Sequence, residues 1–177
     1  MREYEFTLRF DVSRVAAASD ECVELLGGHG CDDAVIGVGI PGRLALMFSR
    51  EAESAEYAVL SALHDVLRAL PDAVLVEATP DFVGITEVAD IVGKSRQNIR
   101  KLLHGSCAGG PVPVHKGTSS IWHLAPVLAW LRDEKRYSVD DGLFDLAMTN
   151  MQLNAASSRI DVSPRIQEDV ESYLAEA

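Results

Sequence analysis

A single glycine, Gly93, divides two short runs of helical periodicity, and that division constrains the chain more than any other feature. Before it, Val88, Ala89, Ile91 and Val92 recur at the spacing of one buried helix side. After it, Ile99, Leu102 and Leu103 do the same. Ala89 is small where two helices must approach closely. Gly93 falls in the turn, and Ile99 faces inward from the second helix. The pattern therefore predicts a helix-turn-helix. Its first helix begins at Thr86 or the residue before it. Its second spans 95–103, with Ser95 as N-cap.

Once the inward positions of the second helix are assigned, Arg96, Gln97, Asn98, Arg100 and Lys101 remain on its outer side. These side chains can read base edges, since Arg bonds guanine bidentately and Asn or Gln bonds adenine in the major groove. The N-terminal part of such a helix meets bases, which favours Arg96, Gln97 and Arg100 there; Lys94, Ser95 and Lys101 suit phosphates. Net charge is −11, which at first sight excludes a polyanion. Its distribution does not. Residues 85–136 carry 8 Lys and Arg against 4 Asp and Glu, a net of +4, whereas 1–84 carry −9 and 137–177 carry −6. A local basic face is what phosphate contact needs, and acidic flanks help to orient it.

After Leu103 the run from His104 to Gly110 is too rich in glycine to extend the helix. Pro111 to Trp122 then reads as two short strands around a Lys116-Gly117 tip, with Pro111 and Pro113 tolerated only on an edge strand. His115, Lys116 and Thr118 would lie near the backbone of an adjacent groove. Trp122 is expected to pack on the second helix. A further helix from Ala125 to Arg132 carries Val127, Leu128, Trp130 and Leu131, and Pro126 is acceptable in its first turn. Taken together, Ser95-Arg-Gln-Asn-Ile-Arg100, the Pro111-Val-Pro113 strand, the short wing and Trp122-His-Leu-Ala-Pro-Val-Leu-Ala-Trp130-Leu131 resemble the winged helix-turn-helix of the MerR/excisionase type. The likeness covers 85–132. It implies binding of double-stranded DNA through the second helix and a wing at 111–122, usually as a dimer. Gly30-Cys-Asp-Asp-Ala34 and Phe48-Ser-Arg-Glu-Ala52 also resemble the leading segment of small bacterial regulators built this way. The wing tip departs from the pattern in having one Lys and no Arg, and no long basic tail follows.

The first 79 residues have their own organisation. Tyr4, Phe6, Leu8 and Phe10 alternate with polar residues, which predicts a half-buried strand. A helix is expected from about Val15 to Leu26, capped by Asp11 or Ser13 and stopped by Gly27-Gly28. Strands over 34–40 and 43–49 flank a Pro41-Gly42 turn; a second helix carries Ala55, Val59, Ala62, Leu63, Val66 and Leu70; a strand follows over 73–78. The order β-α-β-β-α-β predicts an α+β chain that opens with a ferredoxin-like sandwich, which hosts many functions and decides none. Three units follow from this: an acidic ferredoxin-like domain at 1–79, the winged helix-turn-helix at 80–136, and C-terminal helices at 137–177.

Those last helices are expected over 138–157, apolar on more than one face, and from Pro164, with Ser163 as N-cap. They are expected to pack across a homodimer. Cys22, Cys31 and Cys107 form no CxxC pair, so neither a disulfide framework nor a cysteine zinc site is expected and a reducing cytoplasm is. No run of about 18 apolar residues predicts a membrane span. His29, Cys31, Asp32 and Asp33 share a loop and are read as a polar turn rather than a metal site, Gly37-x-Gly39 as a hairpin rather than a phosphate loop, and His64 as structural. No catalytic residue, metal or cofactor is assigned. The expected function is a sequence-specific DNA-binding transcriptional regulator, in particular a repressor. The competing expectation is an antitoxin-like or other interaction module, whose acidic domain binds a partner protein or small effector.

Overall fold

A computed structural model describes residues 1–104, 109–158 and 163–175. Among these residues the chain is mixed α+β with two antiparallel sheets. In the first, β1 (Arg2–Asp11) pairs along its whole length with β3 (Arg43–Ala52), β2 (Ala34–Gly37) lies outside β3, and β4 (Val74–Thr79) lies outside β1. The order β2-β3-β1-β4 separates the ends of each strand–helix–strand unit by one other strand. Helices α1 (Ser19–Gly28) and α2 (Ala55–Ala69) fill those connections. Alternation does the rest. Tyr4, Phe6, Leu8 and Phe10 meet Leu44, Leu46 and Phe48 in one core with Cys22, Leu26, Val59, Ala62 and Val66 of the helices.

The boundaries differ from expectation where side chains found another use. Asp11 does not cap a helix. It ends β1, and its Oδ1 accepts from the Ser13 N–H at 2.9 Å. A turn closed by Val15 N to Val12 O follows, so α1 begins only at Ser19. His64 is exposed at its side chain rather than packed.

Beyond cis-Pro80, strand β5 (Phe82–Val83) leads into α3 (Ile85–Ile91), α4 (Arg96–His104), β6 (His115–Lys116), β7 (Ser120–His123) and α5 (Leu124–Asp133). The second sheet runs β5-β7-β6. Its core gathers Val88, Ala89, Ile99, Trp122, Leu124, Val127, Leu128 and Leu131. Strand β5 was not visible in the sequence. The strand expected from Pro111 does not form, and pairing starts at His115, past the two prolines that lack an N–H.

Helix α6 (Asp141–Ser157) joins the two cores. Asp140 caps it by accepting from Leu143 N at 2.9 Å, and an ion pair with Arg2 ties that cap to β1. Both contacts hold the Asp140 carboxyl below the usual carboxylate range, the Arg2 hydrogen bond more than the Leu143 N–H. Leu146 enters the first core and Ala147 the second. The apolar faces of α6 are thus filled inside the chain. Among the described residues of the segment 137–177, only α7 (Pro164–Ala175) keeps an unfilled face; every residue from 163 to 175 is exposed. Ser163 caps it, accepting from Ile166 N at 3.4 Å. No described helix is long and apolar enough to cross a membrane.

Candidate nucleic-acid interface

The turn between α3 and α4 sets the site. Gly93 sits at φ +62, in the left-handed region. That lets Gly93 N bond Asp90 O and Lys94 N bond Ala89 O at 2.9 Å, closing the end of α3 with a Schellman pattern. The chain leaves in a new direction, and Ser95 Oγ accepts from Asn98 N at 3.2 Å to start α4. At the other end of α3, Glu87 Oε2 accepts from Gly84 N at 3.1 Å.

Ile99 anchors α4 at 0% exposure, with Leu102 and Leu103 partly buried beside it. The outer face follows from that anchor. Lys94, Ser95, Arg96, Gln97, Asn98, Arg100 and Lys101 are all exposed, and they share one turn and one helix. No ion pair holds their cations among the described residues. His115, Lys116 and Thr118 are exposed on the β6–β7 hairpin. Within it the His115 ring lies over Gly117, where an added Cβ would sit 2.7 Å from Nε2. Lys116 stands beside it, exposed, just before the tip of the hairpin. Its base is fixed to α4, because the His104 ring meets Trp122 edge-on at 5.6 Å and Trp122 Nε1 donates to Pro111 O at 3.1 Å. The glycine-rich connection at 105–108 lies outside the described residues.

Tyr137 belongs to this face and was missed. Its hydroxyl donates to Asn98 Oδ1 at 3.3 Å, and the Lys94 ammonium lies 5.5 Å from its ring centroid. It arrives from beyond α5, after Arg136 at φ +56, so nothing near α4 in sequence announces it.

A second missed group ties the face to the first sheet. Asp81, fully buried, accepts from His123 Nδ1 at 2.6 Å and from Asn154 Nδ2 at 2.7 Å, while its backbone oxygen accepts from Leu124 N. Asn154 also accepts from Ala78 N at 2.7 Å and donates to Ala78 O at 2.9 Å. The carboxylate thus joins the start of α5 to α6, and the Asn154 amide carries the link on to β4. Buried carboxylates are held only where such partners converge.

The uncovered side of the first sheet carries a separate feature. A groove of about 800 Å³ runs between this face and α3, bordered by Glu5, Glu77, Glu87 and Asp90 over Met47 and Phe82. Only Arg9 opposes the acids there, and it is tied to Glu77 at 2.8 Å.

The loop at 29–33 is filled from within. Arg50 bonds both oxygens of Asp33, Asp65 Oδ2, Ser61 Oγ and Gly30 O at 2.6–3.0 Å. His29 Nδ1 donates to Leu25 O at 2.7 Å. Burial pushes the Cys31 thiol up to about 11, with Asp65 adding to it. Among the described residues no three of His, Cys, Asp and Glu gather as a metal-binding group. No family model, curated protein or solved structure matches the chain.

Proposed function

We propose that the chain is a sequence-specific DNA-binding transcriptional regulator, built as a ferredoxin-like sandwich followed by a winged helix-turn-helix of the MerR/excisionase type. The observation that carries this reading is the outer face of α4. Arg96, Gln97, Asn98, Arg100 and Lys101 are exposed together, on a helix anchored by Ile99, in the one net-positive stretch of an acidic chain.

In this reading α4 enters the major groove. Arg96, Gln97 and Arg100 meet base edges, and Asn98 presents its amide donors, since Tyr137 occupies Oδ1. Lys94, Ser95 and Lys101 meet phosphates, and His115, Lys116 and Thr118 approach the backbone of the neighbouring groove. Two copies would occupy half-sites about one DNA turn apart and act as a repressor.

The test is selection from random duplexes followed by salt titration of the selected site. Affinity should fall steeply with salt. Arg96→Ala should relax preference at one base pair by about 1–3 kcal/mol, and Lys101→Ala should weaken all sites alike and reduce the salt slope by about one. Selection that enriches no sequence, with neither substitution changing binding, would remove the reading.

The acidic groove supports the second reading, an antitoxin-like module whose main task is to hold a partner protein. Its four carboxylates call for a basic partner. Substituting Glu5 and Asp90 by lysine would abolish such binding and leave selection of DNA by α4 in place.

A further inference from the structure

The outer strand edges of this chain are not guarded alike. At β4 the Asn154 amide takes both backbone groups of Ala78. Strand β6 is two residues long, follows Pro111 and Pro113, and carries a lysine. Strand β2 has none of these devices. The run Ala34-Val-Ile-Gly-Val-Gly-Ile40 contains no charge and no proline. Val35, Val38 and Ile40 are 65, 39 and 67% exposed along it. Such a run on an open edge invites another strand to pair with it.

The hydrogen bonds of the edge specify that strand. Strand β2 pairs with β3 from Ala34 opposite Phe48 to Gly37 opposite Ala45, and Ser49 N donates to Asp33 O just before. Backbone groups alternate along an antiparallel ladder. Asp33, Val35 and Gly37 therefore turn theirs to β3, while Ala34, Ile36 and Val38 turn theirs outward. Ala34 N is already bonded to Cys31 O. The N–H groups of Ile36 and Val38 and the oxygens of Ala34 and Ile36 have no partner among the described residues. This set is symmetric about Ile36. Rotated by a half-turn, Ile36 meets Ile36, and the Val38 donor meets the Ala34 acceptor. Side chains and charges obey the same axis. Val35 falls opposite Gly37, which leaves it room. Asp32 comes to the Ile40 turn, which Arg43 closes by donating its N–H to Ile40 O. Asp32 and Arg43 are exposed and in no ion pair among the described residues. Parallel pairing in register would instead set Asp32 against Asp32.

We propose that β2 is a dimerisation edge, on which two copies pair β2 with β2, antiparallel about a two-fold axis at Ile36. One sheet then runs through both copies, and Asp32 of each faces the partner's Arg43. A strand from another protein would find the same backbone groups but neither the paired charges nor the glycine opposite Val35. Asn154 already occupies the β4 edge, so the assembly closes at two copies instead of growing. The pairing does not depend on DNA binding.

The test uses the full chain without DNA. Sedimentation velocity across the micromolar range should show a concentration-dependent dimer of the 19.2 kDa chain. Amide exchange followed by NMR should slow at Ile36 and Val38 as the dimer forms. Val35 lies on the uncovered face, so Val35→Lys and Val35→Glu spare the core. Across the axis the two side chains at 35 are diagonal neighbours, within reach of each other when long. Each variant alone should dimerise about tenfold more weakly. Mixing the two should give mixed dimers in preference to either like pair, which misfolding would not. A monomer throughout would leave the edge to a strand of another protein and overturn the proposal. So would open-ended assemblies, or a dimer in which exchange at Ile36 and Val38 ignores concentration. A monomer that still selects a DNA sequence would remove this pairing and keep the α4 reading; the predicted dimer with no sequence selected would do the reverse.

Discussion

At the scale of single residues, Gly93 carries more of the site than any side chain on it. Its φ of +62 permits the two bonds that end α3, and the direction of α4 depends on them. A Cβ there would meet no atom within 4 Å, so the cost of replacing it is conformational and not steric. Gly93→Ala should destabilise the fold by about 1 kcal/mol. Gly93→Asn should cost less, because asparagine enters this region more readily. Urea denaturation followed by tryptophan fluorescence distinguishes the two, and equal losses would show that the turn does not set the cost. Gly93 was legible in the sequence because the requirement is local. Asp81 was not. Its partners His123 and Asn154 lie far along the chain, and an isolated aspartate after a proline reads as a surface turn until both are brought to it.

At the scale of elements, the same distinction separates helices read well from those read badly. Ser54 and Asp140 cap α2 and α6 from the residue just before each helix, and the Arg2 ion pair on Asp140 leaves its bond from Leu143 N in place. Asp11 is drawn instead to Ser13, and α1 starts without a side-chain cap. Strand β4 depends on a partner no local pattern reveals. It lies at the sheet edge, and the Asn154 amide stands in for a neighbouring strand, accepting from Ala78 N and donating to Ala78 O. Asn154→Ala leaves those groups and one oxygen of Asp81 without partners and should cost about 3 kcal/mol. Asn154→Asp keeps an acceptor for Ala78 N but loses both donors and sets a second carboxylate beside Asp81, so it should cost more. Thermal denaturation should rank the unaltered chain above the alanine variant and the alanine variant above the aspartate one. An aspartate variant as stable as the alanine one would show that the amide donors do not hold Asp81.

At the scale of the whole molecule, the question is whether two cores behave as two bodies. Helix α6 was legible as apolar on more than one face, but a helical pattern counts buried faces without saying what buries them. Packing across a dimer and packing between two cores of one chain write the same residues. Here Leu146 and Leu153 go to the first core, while Leu143, Ala147, Met148 and Met151 go to the second. Asp81 joins the same three parts by hydrogen bonds. Loss of either core strips one side of α6 and leaves apolar surface and a buried carboxylate exposed together. The chain should therefore unfold in one transition. Both tryptophans, Trp122 and Trp130, lie in the second core, so their fluorescence reports that core alone. Leu46, at 0% exposure, belongs to the first. Leu46→Ala should lower stability by about 3 kcal/mol. If the cores are coupled, the tryptophan transition moves to lower urea by the full amount and stays coincident with the loss of circular dichroism. A tryptophan transition that stays in place, while circular dichroism shows an earlier phase, would mean that α6 links two independently folding units.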